Sequence, residues 1–216
     1  MKSIKMIKCI IFDCDGVLVD TEKIGNGILL SMAQEHGFEM ELEDAYRHFN
    51  GRNLKDCFRH IEEAIDQKLP ENFETEYREK SFEAFKTQVK PMKGVIDFIE
   101  KLTISYCVAS SGPVEKIRLN LEVAGLLDRF EDKIFSSYQI GSWKPEPGIF
   151  LHAAKEMGFE VKDCIVLEDS KAGVKSGISG GFKVYGFANG FNNDDLKEEG
   201  AELFSSYEEL SEKLGI

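Results

Sequence analysis

The apolar run Met6-Ile7-Lys8-Cys9-Ile10-Ile11-Phe12 stops abruptly at Asp13-Cys14-Asp15-Gly16. The run is short, rich in β-branched residues and nearly continuous in apolar character. That is the pattern of a strand buried on both faces of a parallel sheet. Two aspartates two residues apart at a strand end project from the same side if the backbone stays extended. One can serve as a nucleophile and the other as an acid or base. Gly16 permits a sharp turn or a close backbone approach. Asp-Gly is also an ordinary turn signal, so this segment by itself is equally an acidic turn.

Three later segments repeat the arrangement. Tyr106-Cys107-Val108-Ala109 leads into Ser110-Ser111-Gly112-Pro113, where Pro113 suits the first position of a helix. Ser110 reads either as a helix cap or as a donor to a phosphate oxygen, with nearby backbone N–H groups beside it. Trp143-Lys144-Pro145-Glu146-Pro147 locks a lysine between an aromatic residue and a proline, poorly placed for a solvated face. Cys164-Ile165-Val166-Leu167 ends in Glu168-Asp169-Ser170, followed by the small residues Ala172 and Gly173. Oxygen-only ligands at strand ends suit Mg²⁺, whereas Asp and Ser also cap helices. Junctions carrying Asp-x-Asp, Ser, Lys and Glu-Asp in this order put all of that chemistry at the carboxyl ends of strands. In an open parallel sheet the ligand crevice lies there.

With these residues in view the chain resembles the haloacid dehalogenase superfamily. DCDGVLVD, VASS, WKPEP and LEDSKAG match its four signature motifs in order, over nearly the full length. The nearest subgroup resembles β-phosphoglucomutase and the small sugar-phosphate phosphatases. FSSYQIGSWKPEP and IFLHAAKEMG are similar to 6-phosphogluconate phosphatase-like enzymes. The resemblance implies a doubly wound α/β core with an inserted helical cap. It also implies a Mg²⁺-dependent phosphatase working through an aspartyl-phosphate. Asp13 is then the nucleophile and Asp15 the acid/base, while Lys144 contacts Asp13 and the transferring group. Ser110, with a backbone N–H near Ser111, binds a phosphoryl oxygen. Mg²⁺ is held by the Asp13 carboxylate, the Asp15 backbone carbonyl, Asp169 and Glu168, the last directly or through water. His48-Phe49-Asn50-Gly51-Arg52-Asn53-Leu54-Lys55 resembles the cap's specificity loop, which makes Arg52, Asn53 and Lys55 candidates for substrate binding.

Bulk properties narrow the partners. Lys and Arg number 27 against 39 Asp and Glu, a net charge of −12. Nucleic-acid and membrane-surface binders favour basic patches, so neither partner is expected. An anionic substrate needs local cations to overcome that field. The basic start MKSIKMIK is followed by too short an apolar run for a signal peptide, since Asp13 interrupts it. The five cysteines are scattered, without zinc spacing, as expected of reduced thiols in a cytoplasmic protein. A monomer acting on a small phosphorylated metabolite is the expectation.

Organisation along the chain follows from periodicity. Ile24, Ile28, Leu29, Met32 and Ala33 recur at helical spacing, as do Leu54, Phe58, Ile61 and Ile65, and then Phe73, Tyr77, Phe82 and Phe85. This helical stretch of about 70 residues is long for a simple crossover between core strands. The expected division is a core of residues 1–20 and 90–216 and a cap of 21–89. From Gly94 onward helices and strands alternate, with an edge strand near Ala201–Phe204 and a final helix over Tyr207–Leu214.

Other activities remain open on sequence grounds. A phosphomutase and a pyrophosphatase share the expected fold. A haloacid dehalogenase needs neither Asp15 nor the Glu168-Asp169 pair. A receiver-type phosphoacceptor switch also uses aspartates, a hydroxyl and a lysine, but in another order and without a large cap. The resemblance implies a histidine early in the cap of β-phosphoglucomutase, where this chain carries Gly25. The four histidines, at positions 36, 48, 60 and 152, lie elsewhere. The balance therefore favours hydrolysis over transfer.

Overall fold

The computed structural model describes residues 7–49, 54–188, 190 and 192–216. Strand β1 (Cys9–Phe12) leads through a tight turn to the two-residue strand β2 (Val19–Asp20). Helices α1 (Glu22–Gln34), α2 (Leu42–Phe49), α3 (Leu54–Ile65) and α4 (Phe73–Gln88) follow, then strand β3 (Lys90–Pro91) and helix α5 (Val95–Lys101). Strand β4 (Ser105–Ser110), helices α6 (Val114–Val123) and α7 (Leu127–Phe130), strand β5 (Ile134–Ser136) and helices α8 (Ser137–Ile140) and α9 (Gly148–Glu156) come next. The chain ends with β6 (Cys164–Glu168), α10 (Lys171–Ser179), β7 (Lys183–Phe187), α11 (Asn193–Glu198), β8 (Glu202–Phe204) and α12 (Tyr207–Leu214).

Six strands form one parallel sheet in the order β5-β4-β1-β6-β7-β8. The chain leaves β1 toward β4 and β5, then crosses back to build outward from β6. The strand order therefore reverses beside β1, and a crevice opens where helices diverge to opposite faces. Alternation along β1 divides the core between those faces. Ile10 and Phe12 join Val108, Ile117, Leu121 and Tyr207 on one side. Cys9 and Ile11 join Cys107, Ile149, Phe150 and Val166 on the other. Phe12 is fully buried, with edge-on rings of Phe130 at 5.9 Å and Phe98 at 6.2 Å. Truncating such a side chain typically costs about 3–5 kcal/mol. The residue immediately before Asp13 is thus a rigid anchor.

Helices α1 to α4 bury their own apolar set, including Leu29, Met32, Phe38, Phe49, Ile61 and Phe73. The chain enters and leaves this helical segment side by side, because β2 and β3 pair antiparallel as a short ribbon. Neither strand was expected from periodicity, since two residues carry no readable period. Helix α2 has no counterpart in the periodic sets above: His48 and Phe49 end it, whereas Leu54 and Lys55 begin α3, the helix that the Leu54–Ile65 spacing predicts. Arg52 and Asn53 lie outside the described residues. All five cysteines are free and buried. No helix among the described residues is long and apolar enough to cross a membrane.

Candidate active site

Asp13 is the first residue past β1, and its backbone N–H donates to Leu167 O at 2.9 Å. Phe12 is level with Leu167 on β6 and with Val108 on β4. The register therefore brings Glu168 abreast of Asp13 on one side and Ser110 just past it on the other. Gly16 turns the chain with φ of +76°, and a Cβ there would lie 1.9 Å from Asp169 Oδ2. Only glycine lets this turn close over the Asp169 carboxylate.

Lys144, on the loop between α8 and α9, reaches the same point. Its ammonium donates to Asp13 Oδ1 at 2.5 Å and to Glu168 Oε1 at 2.6 Å. It also lies 4.8 Å from the centre of the Phe150 ring. The other Glu168 oxygen, Oε2, accepts from Asp169 N at 2.9 Å, Ser170 N at 2.8 Å and Ser170 Oγ at 2.9 Å. Glu168 thus holds Lys144 and the start of α10 in place at once.

Oxygens of Asp13, Glu168 and Asp169 lie within 4.8 Å of one another, all buried. Burial pushes the Asp13 carboxyl up to about 7, against the pull of Lys144 and helped by Glu168 and Asp15. Asp169 is pushed well up, by burial first and the Glu168 charge second. For Lys144 burial acts downward, but the Asp13 and Glu168 charges more than offset it and the net shift is upward. Three buried carboxylates thus face one buried ammonium, an imbalance that a hard dication relieves. The donor set, all oxygen, fits Mg²⁺ and not a thiolate-seeking metal.

Asp15 faces elsewhere. Its Oδ1 accepts from Thr21 Oγ1 at 2.8 Å and Asn120 Nδ2 at 3.1 Å, and its Oδ2 from Lys116 Nζ at 2.8 Å. Burial works against ionisation, but the Lys116 charge and hydrogen bond outweigh it and hold Asp15 below the ordinary carboxylate range. Its carboxylate lines a cavity of about 150 Å³ with Glu22, Asn26 and Leu29 of α1, Tyr77 of α4 and Lys116 of α6. Ser110 is buried at the end of β4, where its Oγ accepts from Gly112 N at 3.1 Å. Its hydroxyl proton is left for another partner. Ser111 is half-buried beside it. Lys55 is exposed and does not line the cavity. The Tyr77 hydroxyl stands 3.0 Å from where a Cβ on Gly25 would be, so it fills the space of a side chain at that position.

Sequence reasoning did not single out Thr21, Asn26, Lys116 or Asn120. One signal was available: Lys116 and Asn120 are one helical turn apart on the helix that follows Ser110. Asn120 is fully buried, an unusual place for an amide.

The family model for haloacid dehalogenase-like hydrolases matches residues 10–187, which include every one of the described carboxylates above, Ser110 and Lys144. The chain belongs to this family. Among curated proteins, the 6-phosphogluconate phosphatase of Escherichia coli K12 is 32% identical over 208 residues, covering 95% of this chain and 94% of that protein. A phosphorylated-carbohydrate phosphatase of Thermotoga maritima is 29% identical, covering 94% and 96%. Among solved structures, a haloacid dehalogenase-like protein of unknown function from Agrobacterium tumefaciens superimposes with a TM-score of 0.91 at 28% identity, covering 97% of this chain and 98% of that one. This haloacid dehalogenase-like hydrolase is therefore an enzyme whose fold is shared over nearly its whole length with a solved member of the family.

Proposed function

We propose that this hydrolase is a Mg²⁺-dependent phosphatase acting on a small sugar phosphate or sugar-acid phosphate through an aspartyl-phosphate on Asp13. The observation that carries the reading is the Asp13–Lys144–Glu168 contact next to Asp169, with Asp15 two residues on and facing a cavity. The phosphatase relatives at 29–32% identity support the substrate class. Residues 21–89 act as a cap over a core of 1–20 and 90–216, joined through the β2/β3 ribbon.

Asp13, Asp169 and the Asp15 backbone carbonyl would hold the metal, with Glu168 directly or through water, while Glu168 also fixes Lys144 and the α10 backbone. Bound there, Mg²⁺ supplies the positive charge that lets a carboxylate approach a phosphate dianion. Asp13 attacks phosphorus, and the P–O bond to the leaving group breaks. Asp15 gives its proton to the departing oxygen. It then takes a proton from water as that water attacks the aspartyl-phosphate, which frees inorganic phosphate and restores Asp13. Lys144 keeps Asp13 aligned, and the Ser110 hydroxyl and the Ser111 N–H donate to phosphoryl oxygens. Before any of this Asp15 must leave Thr21, Lys116 and Asn120, which hold it ionised, and take up a proton from solvent, the proton it then gives to the leaving oxygen.

The test is phosphate release from a panel of sugar phosphates and sugar-acid phosphates, with and without Mg²⁺. Mg²⁺-dependent release, lost in a folded Asp13→Asn protein, is the expected result. Accumulation of glucose 6-phosphate from β-glucose 1-phosphate, faster than any phosphate release, overturns the reading in favour of a mutase.

A further inference from the structure

The cavity beside Asp15 contains a side chain that no catalytic role explains. Asn26 sits on α1 with Glu22, Gly25 and Leu29, the face that the 3.6-residue period turns toward the cavity. It is 8% exposed, and its amide nitrogen has no hydrogen-bond partner among the described residues. A buried amide left unsatisfied is destabilising, and a leucine of similar size would fit the same helix face at no such cost. The polar atom has a use only when the cavity holds a partner for it.

The rest of the lining states what that partner is. In the proposed reaction Asp15 reaches the ester oxygen only after leaving Thr21, Lys116 and Asn120, so the cavity it now faces opens to the leaving group. Glu22, Asn26, Tyr77 and Lys116 bring carboxylate, amide, phenol and ammonium groups to it, beside the apolar Leu29, Phe49, Leu54 and Phe85. A mixed set of donors and acceptors matches hydroxyl groups, each of which both donates and accepts. An asparagine amide serves a hydroxyl whichever way it is turned. Lys116 and Tyr77 also line a larger outer cavity of about 550 Å³, which gives a chain of several carbons room to continue.

We propose that Asn26 is a substrate-recognition residue that hydrogen-bonds a hydroxyl on the leaving group of a polyhydroxylated phosphate ester. The proposal rests on the phosphatase reading and narrows its substrate to esters hydroxylated close to the phosphate.

The experiment compares kcat/KM for a linear hexitol 6-phosphate and for n-hexyl phosphate, which share chain length and differ in hydroxyls. The parent enzyme prefers the hexitol ester. In Asn26→Leu that preference falls by about 10- to 100-fold, because a site built for a hydroxyl discriminates strongly and loses this with its partner. Asn26→Ala, which adds no volume, gives the same fall, and neither variant melts below the parent by more than a few degrees. An unchanged preference in folded variants, or a parent that does not distinguish the two esters, overturns the assignment of Asn26 alone. A parent that releases phosphate from neither ester, nor from any sugar phosphate, overturns the phosphatase reading and this inference with it.

Discussion

Lys144→Met tests the electrostatics of the site directly. The ammonium lies 2.5 Å from Asp13 and 2.6 Å from Glu168, with side-chain exposures of 7%, 9% and 1%. Methionine keeps much of the volume, so the loss is one of charge. Removing one member of a buried ionic cluster typically costs about 3–5 kcal/mol, because the partners stay buried and uncompensated. The sign with pH follows from the upward shift of Asp13 to about 7. A carboxyl whose folded pKa is raised contributes full stability below its unfolded value. That contribution is lost as pH rises through the folded value. In the metal-free parent the loss accrues between about pH 4 and pH 7, at about 1.4 kcal/mol per pH unit for one proton. Without Lys144, which pulls the Asp13 value down, the same loss starts from the same unfolded value and continues beyond pH 7. The deficit of Lys144→Met is therefore larger near pH 8 than near pH 5. Urea unfolding followed by circular dichroism in EDTA measures it at both. A deficit below about 1 kcal/mol near pH 8, or one equal at the two pH values, refutes the argument.

Asp15→Asn loses the acid/base proton and slows turnover of an alkyl phosphate about 100- to 10,000-fold; a loss under tenfold in the phosphate-release assay removes Asp15 from that role. EDTA silences the parent and Mg²⁺ restores it, whereas Asp169→Ala needs far more Mg²⁺ or stays inactive; an unchanged metal titration of Asp169→Ala excludes it as a ligand. In Gly173→Ala the new Cβ lies 1.8 Å from the present position of Glu168 Oε1, so Glu168 moves off Lys144. Turnover falls at least tenfold, more than a helix-stabilising Gly→Ala change alone produces, and kinetics set beside a melting curve separate the two effects.

The sequence by itself determined where the strand ends of the candidate site fall. Apolar periodicity is local, so β1, β4 and β6 were legible, and the chemistry-bearing residues Asp13, Ser110, Glu168 and Asp169 sit at their ends where the chain turns. Helices α1, α3 and α4 were legible for the same reason, as were the β8 edge strand and α12. Tertiary structure alone decided how those residues are used. Asp15 is held by Lys116 and Asn120, which lie 101 and 105 residues further along the chain. One helical turn of Lys and Asn reads like any solvated stripe until the helix is packed against α4 and β5. Glu168 and Asp169 look alike as neighbouring carboxylates, yet the parallel register commits Glu168 to Lys144 and the α10 backbone while Asp169 closes under Gly16. Sheet order, the β2/β3 ribbon and the exposure of Asn26 to the Asp15 cavity likewise depend on which surfaces meet. Element type follows from neighbours a few residues apart, whereas a site follows from distances between residues far apart in the chain, and these are set only when apolar faces pack.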